Sequence, residues 1–122
     1  MAFTLANLLD DRVRKLLEDP ETPVAPATVS DWDTADLITW YNDFLIEMRK
    51  SRADAFLAAD AVSIIAIVYA TAKTDAFLLD DAWIRAATHY VCWQAFLQDS
   101  GNQRNAERAE YHHGQFDAAI GR

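Results

Sequence analysis

A pair of helical arms over residues 79–122 constrains this chain more than any other stretch. The first arm carries Trp83, Ile84, Ala87, Tyr90, Val91 and Leu97 at three- and four-residue steps, which line one face of a helix. Asp80 stands where a carboxylate caps free backbone N–H groups, and Leu79 and Ile84 stand where a hydrophobic staple forms. Ser100-Gly101-Asn102 closes the arm, because Gly101 accepts the left-handed conformation of a helix end. The second arm repeats the pattern with Ala106, Ala109, His113, Phe116 and Ile120. So short a turn makes the arms antiparallel neighbours, with helices over 81–99 and 103–120.

The N-terminal half predicts two more helices. Over 4–18, Thr4 is the N-cap, Phe3 and Leu8 the staple, and Leu5, Leu8, Leu9, Val13, Leu16 and Leu17 the apolar stripe. Arg12, Arg14 and Lys15 follow in later turns, where cations suit the helix dipole, and Asp19-Pro20 ends the helix. Pro20, Pro23 and Pro26 then mark an extended linker. Over 33–50, Asp33 is the cap and Trp32 staples onto Leu37. Leu37, Trp40, Tyr41, Phe44 and Met48 form a stripe that Leu45 and Ile46 widen, so this helix meets more than one neighbour.

The middle is apolar and β-branched: Val62, Ile64, Ile65, Ile67 and Val68. Such a run fits a buried strand or a buried helical segment, and β-branching favours a strand over 62–69 with a hairpin partner at 55–58. A lone hairpin is marginal in water, so it must lie against the helices or another subunit. The expected fold is mainly α, a small bundle of about four helices with a short β insert at about 55–70, in a single domain over 1–122.

Nineteen acids against eleven bases give a formal charge of −8, with the excess concentrated in the first half. That excludes the basic stripe with which a protein grips nucleic acid. A lone Cys92 excludes an internal disulfide framework and fits a reducing compartment. The start lacks the pattern of a signal peptide, and no apolar run is long enough for a membrane span.

No chemistry-bearing motif is present: no Gly-rich phosphate loop, GxSxG, CxxC or HExxH. Histidines 89, 112 and 113 are the metal-ligand candidates, with Glu110 nearby, but His112 and His113 point about 100° apart on a helix and ligate poorly together. The expectation is a half-buried His113, a solvated His112 and a Cys92 that packs as a small hydrophobe. The acidic pairs at 10–11 and 80–81 read as surface and capping residues. No enzymatic activity, cofactor or metal is expected. Trp32, Trp40, Trp83 and Trp93 are assigned mostly to the core, yet four are many for a core this small, and aromatics are enriched at interfaces.

The order of elements carries a resemblance. A helix from Leu8-Leu9-Asp10 to Asp19-Pro20 leads through a proline connector to Trp32-Asp33-Thr34-Ala35-Asp36-Leu37. After the insert, Leu78-Leu79-Asp80-Asp81 opens an aromatic helix with Tyr90, and Gly101-Asn102-Gln103-Arg104-Asn105-Ala106-Glu107-Arg108-Ala109 opens the last. Over nearly its whole length this resembles the head-to-tail connector (adaptor) proteins of tailed bacteriophages. The resemblance implies a structural virion protein, made in the host cytoplasm and built into the neck. Such proteins form a ring, commonly of twelve subunits, between the portal and the next tail component. DNA passes through their channel without specific binding. The implied portal contact falls on the last helix, at Gln115, Phe116, Ala119, Ile120 and Arg122; the alternative is that Phe116 and Ile120 close the domain's own core against Leu97 and Val91. Two other classes fit the residues: a small helical interaction or regulatory module acting as a dimer, and a small metal-dependent enzyme using His89, His112 and His113.

Overall fold

Thr4 starts the first helix as its side chain accepts the Asn7 N–H at 3.4 Å while Asn7 Oδ1 accepts the Thr4 N–H at 3.1 Å. This reciprocal cap meets two of the donors that a helix start leaves free. The computed structural model describes residues 3–17, 32–57, 62–98 and 103–121, and the chain is mainly helical. From the Thr4 cap, α1 (Leu5–Leu8) runs into a π-helical turn (Leu9–Val13) and then α2 (Arg14–Leu17). A π turn takes up more residues than an α turn and shifts the stripe that follows. Leu17 is therefore buried and Leu16, expected inside, is 45% exposed. The linker prolines lie outside the described residues.

The second predicted helix is α3 (Thr34–Ser51), which buries Leu37, Tyr41, Phe44, Leu45 and Met48. Asp33 occupies its N-cap position without a side-chain cap bond. Trp32 reaches across to residues 95 and 96. Its Nε1 donates to the Ala95 carbonyl at 3.2 Å, and its ring meets Phe96 edge-on at 5.8 Å. A 3-10 turn (Ala53–Phe56) follows α3.

The β insert is corrected. No strand is formed among the described residues of the middle, and what remains is one antiparallel bridge between Leu57 and Ile64. A strand needs a ladder. Here the partner side is taken up by the 3-10 turn, and the extended chain runs on alone.

Asp80 accepts the Ala82 N–H at 2.9 Å, as its position predicts, and opens a 3-10 turn (Asp81–Trp83) that leads into α4 (Ile84–Gln98). α5 (Gln103–Ala119) returns along α4; the turn at 100–102 lies outside the described residues. α4 is the central element: it packs against α5, α3 and the N-terminal helical segment. Its buried side includes Ile84, Tyr90, Val91 and Phe96, whereas Leu97 is 47% exposed. On α5 the buried positions are Ala109, His112, Phe116 and Ile120. All four tryptophans are half-buried rather than in the core.

Two polar clamps fix the ends. Arg52 Nη1 donates to the Ile120 carbonyl at 2.7 Å, pairs with Asp54 at 2.8 Å and lies over Trp83 at 5.0 Å. Gly121, at φ 80°, turns the chain out of α5 beside it. At the other end, Leu5 and Ala6 donate to the carbonyls of Asp75 and Lys73, and Phe77 donates to that of Phe3. No helix among the described residues is long and apolar enough to cross a membrane.

Candidate functional site

The stretch that follows the Leu57–Ile64 bridge belongs to no helix or ladder, and from 64 to 68 exposed and half-buried residues alternate, as along a strand. Ile65 and Ile67 turn inward and are half-buried, and Ala70 is buried. Val62 at 81%, Ile64 at 60% and Val68 at 65% exposure turn outward. Both sides are apolar, and the domain covers only one.

The segment is clamped at its two ends. The Ile65 N–H reaches the Phe56 carbonyl at 2.6 Å, and Arg49 Nη1 reaches the Ile65 carbonyl at 3.4 Å. At the far end the Asn42 side chain holds both backbone groups of Ala70, at 2.8 and 3.0 Å. Between the clamps, the backbone groups of Ala66, Ile67, Val68 and Tyr69 have no hydrogen-bond partner among the described residues. An extended run with open N–H and C=O groups and an outward apolar side is a template for another chain. Beside it lies a cleft of about 510 Å³, lined by Val68, Tyr69, Phe77 and Leu78, with Asp75 at its rim. Asp75 is held rigid there: the Thr71 and Ala72 N–H groups bind its carboxylate at 2.8 and 3.1 Å and hold its carboxyl below the usual range.

The residues expected to meet the portal are placed differently. Phe116 and Ile120 lie in the domain's own core at 0% and 1% exposure. Phe116 meets Phe44, Tyr90 and Trp93 with ring centroids 6.3, 5.1 and 6.4 Å away. Leu97, an expected neighbour, points outward instead. Gln115 accepts from Arg85 at 2.8 Å, and Ala119 is half-buried against the core. Arg122 lies outside the described residues. The last helix therefore presents no apolar anchor to a partner at 116 or 120.

The reading of His112 is corrected too, whereas His113 is half-buried as expected. His112, expected in solvent, is 5% exposed, while His113 is half-buried and stacked on Trp93 at 4.2 Å. His112 stacks on Phe96, and its Nδ1 lies 2.9 Å from Nδ1 of His89, so one ring donates and the other accepts. Burial, then the neighbouring His89 and Arg108, push His112 down to about 4, and burial with Arg85 lowers His89 in the same direction. Cys92 is buried, which pushes its thiol up and keeps it inert. Asp10, read as a surface residue, accepts from Arg14 at 3.3 Å and Lys73 at 2.9 Å. Among the described residues, no three His, Cys, Asp or Glu side chains converge on a possible metal position.

The buried histidine gives acid sensitivity a definite sign. Between pH 6.5 and about 4 the unfolded chain takes up a proton that folded His112 refuses. Its neutral packing is therefore intact above pH 6.5, and stability falls as pH drops toward 4. At about 1.4 kcal/mol per tenfold change in proton affinity, the loss is roughly 3 kcal/mol. Urea titrations across that window should show the wild type losing this much more than His112→Gln. Parallel pH curves for the two proteins would contradict the assignment.

The chain matches no protein-family model, no curated protein and no solved structure.

Proposed function

We propose that this chain is a structural head-to-tail connector of a tailed bacteriophage, without enzymatic activity, which assembles as a ring between the portal and the next tail component. The observation that carries the reading is the one-sided cover of the extended segment. Ile64 and Val68 are exposed next to backbone groups of 66–69 that have no partner among the described residues. Burying each such side chain contributes about 1.5–3 kcal/mol, and a neighbouring subunit is the natural cover for a patch of this kind. The order of helices supports the phage assignment by resemblance. The charge of −8 suits a channel wall past which DNA must slide, because such a wall must not hold phosphates. The neck of the virion is the proposed location.

The same segment could instead pair with its own copy about a two-fold axis, which would make the dimeric interaction module. Solution mass separates the two. Light scattering should give the wild type a fixed high multiple of its 13.8 kDa mass. Ile64→Asp with Val68→Asp should run as a monomer with unchanged helical content, since both side chains stand outside the core. A wild-type dimer would favour the module. A double variant that assembles like the wild type would remove the segment from the account.

A further inference from the structure

Five described cations are committed inside the domain. Arg14 and Lys73 serve Asp10, Arg52 serves Asp54, and Arg49 and Arg108 lie over Phe56 and Phe96. Arg12, Lys15 and Arg85 pair with no described carboxylate, and all three line one cleft of about 370 Å³. Arg12 comes from the π turn, where the helix is widened, Lys15 from α2 and Arg85 from α4. Their partners are uncharged: Arg12 lies over Phe3 at 5.9 Å, and Arg85 donates to Gln115 at 2.8 Å. Leu16, 45% exposed, lies among them, and the one carboxylate present, Asp11, accepts from Asn7 at 3.3 Å. A local excess of positive charge around an exposed leucine stands out on so acidic a chain.

The complementary surface is on α3. Asp36 and Asp43 are exposed and pair with no described cation, and at seven residues apart they share one helix face. Trp40, half-buried, lies between them on that face. Phe44 of α3 meets Tyr90 at 5.9 Å, and Tyr90 is the neighbour in sequence of His89 at the cleft. Among the described residues no carboxylate of this face pairs with a cation of the cleft, so both surfaces keep charge that the chain does not satisfy.

We infer that the cationic cleft receives the Asp36–Trp40–Asp43 face of a second copy, so that copies join head to tail. Such a heterologous contact is the kind that closes a ring, and the inference rests on the ring reading above. The carboxylates meet Arg12, Lys15 and Arg85, while Trp40 covers Leu16 and offers its face to a guanidinium. A free phosphate would use the cations but leave the leucine uncovered.

Charge reversal tests the contact. Arg12→Glu with Arg85→Glu makes a cleft variant, and Asp36→Lys with Asp43→Lys makes a face variant. All four side chains are exposed, so both variants should keep their helical content. Each alone should need at least a tenfold higher concentration to assemble at low salt. Mixed in equal amounts they should assemble again, because each then meets the opposite charge on the other. Assembly of either variant like the wild type, or no recovery on mixing, would overturn the inference and leave the ring reading standing. A wild type that stays monomeric would overturn both. Inorganic phosphate that binds the wild-type cleft without changing the assembled mass would mark an anion site and would also overturn the contact.

Discussion

Phe116→Ala is expected to destabilise the domain by about 3–5 kcal/mol, the usual cost of emptying a buried phenylalanine site. The side chain is fully buried and touches rings from both neighbouring helices: Phe44 of α3, and Tyr90 and Trp93 of α4. Those rings are held by further contacts, Tyr90 by Phe44 and Trp93, and Trp93 by His113. The cavity therefore cannot collapse freely. Ile120 lies one turn on, and its carbonyl is bound by Arg52. Removal of 115–122 should accordingly unfold the chain rather than merely detach a docking element. Urea midpoints with an unchanged slope would measure the substitution. A loss below about 1 kcal/mol would mean that the ring is not a core residue.

The second large effect is expected at Arg14, a buried cation that the leucine pattern does not anticipate. It is 4% exposed, and its described acceptors include Asp10 at 3.3 Å, the Trp32 carbonyl at 3.0 Å and the Thr34 hydroxyl at 3.0 Å. One side chain thus ties α2 to the start of α3. Arg14→Met leaves the carbonyl and hydroxyl without that donor, although Asp10 keeps Lys73. Breaking a buried pair costs about 3–5 kcal/mol, and the surviving Lys73 contact places this loss near 3 kcal/mol. Arg14→Lys should recover only part of it, because an ammonium cannot present a planar fork to three separate acceptors. Full recovery by lysine would show that charge alone matters there.

The helices and several of their starts were legible in the sequence because caps and stripes are local. Thr4 with Asn7, and Asp80 with Ala82, act where their positions predict. Rotation about a helix axis was less legible. Ala109, His113 and Phe116 keep helical steps, and so do Ala109, His112 and Phe116. The choice is made by Phe96 and His89 of α4, which only the fold brings to His112. The same holds for Leu16, left outward in a segment that contains a π turn, which leaves no compositional mark. The stretch around 62–69 was misread for a different reason. β-branching reports that a residue suits extended backbone, and this backbone is extended, but whether a second strand lies alongside is a tertiary fact. The apolar character on both sides was visible, and it is the signal that points to a cover from outside the domain.

Native mass spectrometry of the purified wild-type chain at low salt, with the same sample imaged by negative-stain electron microscopy, tests the ring most directly. The account predicts one dominant mass at a fixed high multiple of 13.8 kDa and closed rings with a central channel. Monomers or dimers alone, across the whole accessible concentration range, would contradict it.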